Sequence, residues 1–220
     1  MKRIVANSFG RTIKHLSNDV CGFVSADRHE RTPEENNKKD AELLAEIKAS
    51  GLSYIRGIGH YLETRTDDDG IAQDVPVQEK SYCIINNKWL NDHFREFMVH
   101  LCNKYDQDSV MITYPPKNPD NEYDLTVTAE YLDKNGNITG KAKDVSTQDV
   151  GEFFTHYGSR KPGAGKDFKV NYQEIESCEH ISSKPQGFVR GLTADTNFKN
   201  LYPELHRKVE AARKLRRIKE

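Results

Sequence analysis

No stretch of eighteen consecutive apolar residues occurs in this chain of 220 residues, so no segment is expected to cross a bilayer as a helix, and no membrane partner is expected. Met1 to Ser8 begin with basic residues but lack the apolar run of a secretory leader, so no signal peptide is expected. Cysteine is sparse. Cys21, Cys83, Cys102 and Cys178 are widely spaced, with no Cys-x-x-Cys pair, which reads as free thiols in a reducing, cytoplasmic compartment. An excess of one charge is also missing: 33 Lys/Arg against 34 Asp/Glu leave a net charge of −1. The body is therefore not expected to attract nucleic acid by its overall field. Repeats and low-complexity tracts are absent, and no cofactor-binding signature is read.

What is present is enough for one core. Hydrophobic residues make up 35 % and aromatics 9 %, and a chain of this length can bury a full domain core. The expected organisation is a single domain over 1–200 and a basic helix over 201–220. Short strands are expected at 3–8 and 21–26, with a helical turn near 12–16 between them. Thr32-Pro33-Glu34-Glu35 reads as a helix start, with Thr as N-cap, Pro in the first turn and acids beside the helix dipole; Gly51 supplies the stop. Strand-like segments follow at 53–63 and 81–85. Leu90, Phe94, Phe97, Met98 and Leu101 give the clearest helical period in the chain, over 88–105. A strand at 109–114 stops at Pro115-Pro116. Asp133-Lys134-Asn135-Gly136-Asn137 is a hairpin turn between strands at 123–132 and 138–142. A short helix is expected over 147–157, carrying Val150, Phe153 and Phe154, then a basic loop from Ser159 to Asp167. Strand, helix, strand, strand, helix, strand is the split βαβ order of ferredoxin-like folds. The fold class is α+β: a mostly antiparallel sheet with helices on one face.

Three stretches could carry chemistry. Ser25, Arg28, Asn36 (or Asn37), His60, Glu63, Glu79 and Ser81 sit at predicted strand ends and on the first long helix. If they converge, Arg28 could grip a phosphate or carboxylate in bidentate fashion, and His60 or Glu79 could act as a general base. The plainer reading is a set of satisfied polar residues at strand ends and caps. His93, Glu96 and His100 share one face of the second long helix. Such spacing can hold a metal, but the face lies opposite the apolar stripe and reads as solvated, so no metal is expected. Gly158 to Asp167 fails as a phosphate loop, with Arg160 and Asp167 where the template needs glycine and a hydroxyl residue. Arg160, Lys161 and Lys166 there could still meet phosphates or an acidic partner.

The tail is a further element. Residues 206–220 hold seven Lys/Arg against two glutamates, a net +5, and leave −6 on the rest. Arg207, Lys208, Arg213, Lys214, Arg216 and Arg217 could dock on the acidic body, contact a protein partner or, less favourably, a nucleic-acid backbone.

Gly22-Phe23-Val24-Ser25-Ala26-Asp27-Arg28, Glu35-Asn36-Asn37, the Leu43-Leu44 helix, Gly57 to Glu63 and Gln78-Glu79-Lys80-Ser81 together resemble a loosely defined family of small bacterial and phage α/β proteins. The resemblance covers about 20–86 and implies a fold unit without a reaction. With the composition, it points to a phage or mobile-element accessory protein, in the host cytoplasm or the virion. Such a protein would bind a host or virion component through its surface and basic tail. The alternative is an enzyme or sequestering protein for a small phosphorylated or nucleotide-like ligand; a third is a nucleic-acid-binding accessory.

Overall fold

A computed structural model describes residues 8–66, 70–116, 126–146, 154–157, 166–173 and 198–219. The elements run α1 (Ser8–Asn18), β1 (Val20–Ser25), α2 (Pro33–Ser50), β2 (Ser53–Thr66), β3 (Ala72–Asn86), α3 (Asn91–Lys104), β4 (Val110–Tyr114), β5 (Thr128–Leu132), β6 (Ile138–Ser146), β7 (Phe154–Tyr157), β8 (Lys166–Gln173) and α4 (Pro203–Lys219). Among the described residues no helix is long and apolar enough to cross a membrane.

The first four strands lie in the order β4-β1-β3-β2, every neighbour antiparallel. This is the expected split pattern, with α2 and α3 as its two crossovers. The second half of the chain then closes the sheet. β5 pairs with β4, β6 with β5, β8 with β6, β7 with β8, and β7 returns to β2, giving an eight-stranded antiparallel barrel. The 154–157 segment, expected as helix, is thus strand. Phe153-Phe154 is too short an apolar run to distinguish the two by period, and pairing with β2 and β8 decides it. Lys166 and Asp167 open β8 rather than end a loop. The expected strand at 3–8 lies mostly outside the described residues; Ser8 itself begins α1.

Strand alternation divides the core in two. Cys21, Phe23, Ile55, Cys83, Ile85, Val127, Ala129 and Ala142 face inward, joined by Ile13 and Leu16 of α1. An eight-stranded barrel has an interior that side chains of this size can fill. Val24, Tyr82, Ile84, Val110, Ile112 and Leu132 face outward under Leu43 and Ile47 of α2 and Phe94, Phe97, Met98 and Leu101 of α3. Gly22 lets α3 come close: a Cβ there would stand 2.5 Å from Met98 Sδ and 3.0 Å from Phe94 Cζ.

The helix ends follow the sequence signals. Thr32 caps α2 by accepting from the Glu35 N–H, Glu35 reaches back to the Thr32 N–H at 2.8 Å, and Gly51 ends the helix at φ 70°. α4 lies against α3, where Phe198 and the half-buried Tyr202 and Leu205 join Trp89 and Phe97. The Trp89 ring meets Phe198 edge-on at 4.8 Å and Phe97 at 5.1 Å. His93 is fully buried in this contact, not on a solvated face as its spacing suggested, because α4 covers that side of α3.

Candidate functional site

The β1–β3 register brings the chemistry to one end of the barrel. Down the inner face, Cys21 stands opposite Ile85, Phe23 opposite Cys83, and then Ser25 opposite Ser81. One step further along β3, Glu79 faces Gly59 of β2, while Gly57 faces Ser81. The interior thus changes from apolar to polar at the Ser25/Ser81 level. There β2 offers two glycines, so the mouth has room beneath the Glu79 side chain. A Cβ at Gly59 would lie 3.3 Å from Glu79 Cγ.

Beyond β1 the chain turns through 26–31 and bounds an open cleft of about 360 Å³ lined by Asp27, Arg28, Arg31, Asn36, Glu79 and Lys80 among others. A second hollow of about 200 Å³ shares Asp27, Arg28 and Glu79 and extends to Gln107 and Asp108. The larger volume is in the range of small-molecule sites.

Every part of this turn is tied down. Asn36 Oδ1 accepts from the Arg28 N–H at 2.9 Å, and Asn36 Nδ2 donates to the Arg28 carbonyl at 2.8 Å. Arg31 donates to the carbonyls of Ala26 (2.8 Å) and Tyr105 (3.3 Å), and Gln107 Nε2 donates to the Asp27 carbonyl at 3.2 Å. The Ser25 hydroxyl accepts from the Asp27 N–H at 3.0 Å. Arg28 itself reaches Asp108 at 3.0 Å and Glu30 at 3.5 Å.

Asp27 is the informative residue. Its Oδ2 accepts from the Lys80 N–H at 2.8 Å, which joins the turn to β3. Its Oδ1 is buried and has no hydrogen-bond partner among the described residues. A buried acceptor left unmatched costs about 1–3 kcal/mol, and more when charged. Such an atom calls for an explanation, and Asp27 lines the cleft.

Behind the cleft, the Tyr82 hydroxyl donates to Asp40 Oδ1 at 2.6 Å, and Arg56 Nη2 donates to Asp40 Oδ2 at 2.9 Å and to the Tyr82 oxygen at 2.6 Å. Burial, then the bond to Asp40, raises the Tyr82 phenol above its ordinary range against the pull of Arg56, so it stays a donor. Lys80 Nζ donates to Asn37 Oδ1 at 2.6 Å and lies 3.7 Å from Asp40 Oδ2. This network locks α2 to β2 and β3 and holds a lysine at the cleft rim.

Of the residues singled out from sequence, Arg28, Asn36, Asn37 and Glu79 line the cleft, while Ser25 and Ser81 are buried opposite each other on β1 and β3 and do not line it. His60 does not line it; it stands on β2 opposite Gln78 and Phe154. Glu63 is further along β2, opposite Val75. Asp27, Arg31, Lys80 and Gln107 were not singled out. Asp27 and Lys80 adjoin marked residues, but their pairing spans two strands. Gln107 had no signal beyond its place before β4.

The basic stretches are scattered. Arg160 and Lys161 lie outside the described residues, and Lys166 is paired opposite Tyr157. Arg207 pairs with Glu204. Arg213 reaches Glu210 at 2.8 Å and Asp92 of α3 at 3.5 Å, so one tail cation fastens the helix to the body. Lys208, Lys214 and Arg217 are exposed; Arg216 lies on α4 with them.

A sequence model described as the S-Adenosylmethionine lyase family matches residues 22–164. No curated protein and no solved structure matches the chain. The family match covers β1 to the far side of β7, including every residue of the cleft. It replaces the resemblance to small bacterial and phage proteins, and it overturns the expectation of a viral accessory protein acting through surface and tail. The enzyme alternative, with a nucleotide-like ligand, is the one it favours.

Proposed function

This chain belongs to the S-adenosylmethionine lyase family, and from that membership we propose that the barrel-mouth cleft binds S-adenosylmethionine and cleaves it at sulfur. The observation that carries the reading is Asp27, which lines a cleft that also holds cations and whose buried Oδ1 has no protein partner among the described residues. The substrate is complementary to that mixture. It brings an ammonium and a sulfonium, a carboxylate, and a polar nucleoside.

Lyase cleavage breaks a carbon–sulfur bond without adding water. The bonding pair passes to sulfur, which leaves as an uncharged thioether. The carbon fragment balances either by losing a proton or by closing a ring through its own carboxylate. In both routes the sulfonium charge disappears in the transition state. A carboxylate pressed on sulfur would therefore hold the ground state more than it helps the reaction. Asp27 therefore meets the substrate ammonium, where charge persists throughout. Lys80 and Arg28 meet the substrate carboxylate, and the Asn36, Asn37 and Gln78 region receives the nucleoside. Glu79, over the glycines of β2, faces the reacting carbons and is the proton acceptor of the elimination route. The apolar inner face below Ser25 and Ser81 keeps bulk water away from sulfur, which favours loss of charge.

The test is direct. Purified protein is incubated with S-adenosylmethionine deuterated on the carbon chain, and products are followed by mass spectrometry. Consumption with release of a thioether and no methyl acceptor supports the reading. Loss of deuterium indicates elimination, and its retention indicates ring closure. A protein that binds no S-adenosylmethionine, or leaves it intact, overturns the proposal.

A further inference from the structure

Independently of the lyase cleft, a second site lies where α4 meets α3. His93, His206 and Glu210 each present a ligand atom, and the three atoms lie within 4.8 Å of one another. We infer that they form a transition-metal site, suited to Zn²⁺, that fastens the C-terminal helix to the body of the protein.

The geometry is the first support. His93 Nε2 and His206 Nδ1 stand 3.2 Å apart. Zn–N bonds of about 2.0–2.1 Å in a tetrahedron put two nitrogens about 3.3 Å apart, so both imidazoles already stand at ligand spacing. His206 and Glu210 are four residues apart on one helix and so share a face. This is the spacing helical metal sites use to offer two ligands from one element.

The surroundings hold the donors in place. The His93 ring is fully buried and stacks on Phe198, with centroids 4.5 Å apart and planes 15° apart. Its direction toward α4 is thereby fixed. Glu210 Oε1 accepts from Arg213 Nη1 at 2.8 Å, and Arg213 Nε reaches Asp92 Oδ2 at 3.5 Å. A ligand carboxylate oriented by an outer hydrogen bond is the usual arrangement around protein-bound zinc. Asp92 offsets the Arg213 charge, which would otherwise oppose a cation nearby. His206 and Glu210 are only half-buried, so a fourth position stays open to solvent. Two imidazoles and one carboxylate suit Zn²⁺ and its neighbours better than Mg²⁺ or Ca²⁺, which take oxygen ligands.

The competing arrangement is an imidazole pair sharing one proton, with Glu210 bound only to Arg213. The two are separable with metal alone. The full chain is stripped with chelator and titrated with Co²⁺, whose tetrahedral complexes absorb in the visible. The expected result is a band saturating at one equivalent, displaced by Zn²⁺ and lost as pH falls and the imidazoles protonate. Zn²⁺ should also raise the melting temperature of the stripped protein. His206→Ala and Glu210→Ala, both on half-buried positions, should each weaken Zn²⁺ binding at least tenfold while the metal-free protein keeps its circular dichroism spectrum. His93→Ala would open the core, so the two α4 variants carry the test. A missing or non-stoichiometric band, or variants that bind Zn²⁺ as the parent does, overturns the site.

Discussion

Asn36 holds the Arg28 peptide from both sides, accepting from its N–H at 2.9 Å and donating to its carbonyl at 2.8 Å. One side chain of α2 thus sets the path of the turn that carries Asp27 and Arg28 into the cleft. Asn36→Asp replaces the donor with a second acceptor opposite the Arg28 carbonyl. We expect a stability loss of about 1–2 kcal/mol and a rise of tenfold or more in KM for S-adenosylmethionine. Denaturant melts and steady-state kinetics measure the two separately. Unchanged kinetics in a folded variant would remove this turn from the site.

Asp27 and Glu79 have different assignments, and kinetics can separate them. Asp27→Asn should weaken substrate binding at least tenfold, seen by calorimetry or as a smaller thermal shift. Glu79→Gln should lower kcat far more than it changes KM, if Glu79 acts only where charge moves. Equal effects of both substitutions on KM would merge the two roles into binding.

Gly59 is the floor under Glu79. Gly59→Ala puts a methyl 3.3 Å from Glu79 Cγ and 3.4 Å from its Oε1. The flexible side chain can give way, so stability should change by less than about 1 kcal/mol while turnover falls severalfold. Full activity in this variant would place the Glu79 carboxylate outside the reacting region.

Glu46 supplies a pH-dependent element away from the cleft. Burial raises its pKa, but His100 at 2.8 Å and Lys104 at 2.5 Å outweigh burial and push the carboxyl down to about 2. A folded-state pKa below the ordinary value of 4.5 means stability fully present above about pH 4.5 and lost as pH falls toward 2. Glu46→Gln should therefore melt below the parent at pH 6 and approach it near pH 2. Parallel melting curves across that range would remove the ion pairs as the cause.

Much of the first half of the molecule was legible in the sequence, for local reasons. Thr32, Pro33, Glu35 and Gly51 act on their own helix ends, and the period of Phe94, Phe97, Met98 and Leu101 reports one buried face. Once those elements are in order, the split pattern leaves few ways to pair β1 to β4. Ser25, Arg28, Asn36, Glu79 and Ser81 gather at one end because strand ends do so in that arrangement. What was not legible depends on register and coverage. The bond from the Lys80 N–H to Asp27 requires β1 to sit one particular way on β3. His60 misses the cleft although its partner Gln78 on β3 lines it, and no residue pattern along β2 shows where the cleft stops. His93 read as solvated because nothing in α3 announces that α4 covers it. Barrel closure depends on β7, which is four residues long, and on β8, where Phe168, Val170 and Tyr172 alternate with polar residues but do not say which strands they join.

That closure has a consequence for motion. β2 and β3 are joined along all of β2 by pairing between neighbours in the chain, while among the described residues β2 and β7 share only the positions of Ile58, Gly59 and His60. Contacts between distant segments form late in folding and, where they are few, open first. Amide hydrogen exchange should therefore be faster along this seam than in the β1–β3 pairing. Gly59 belongs both to the seam and to the floor beneath Glu79, so each opening of the barrel also loosens the wall of the cleft.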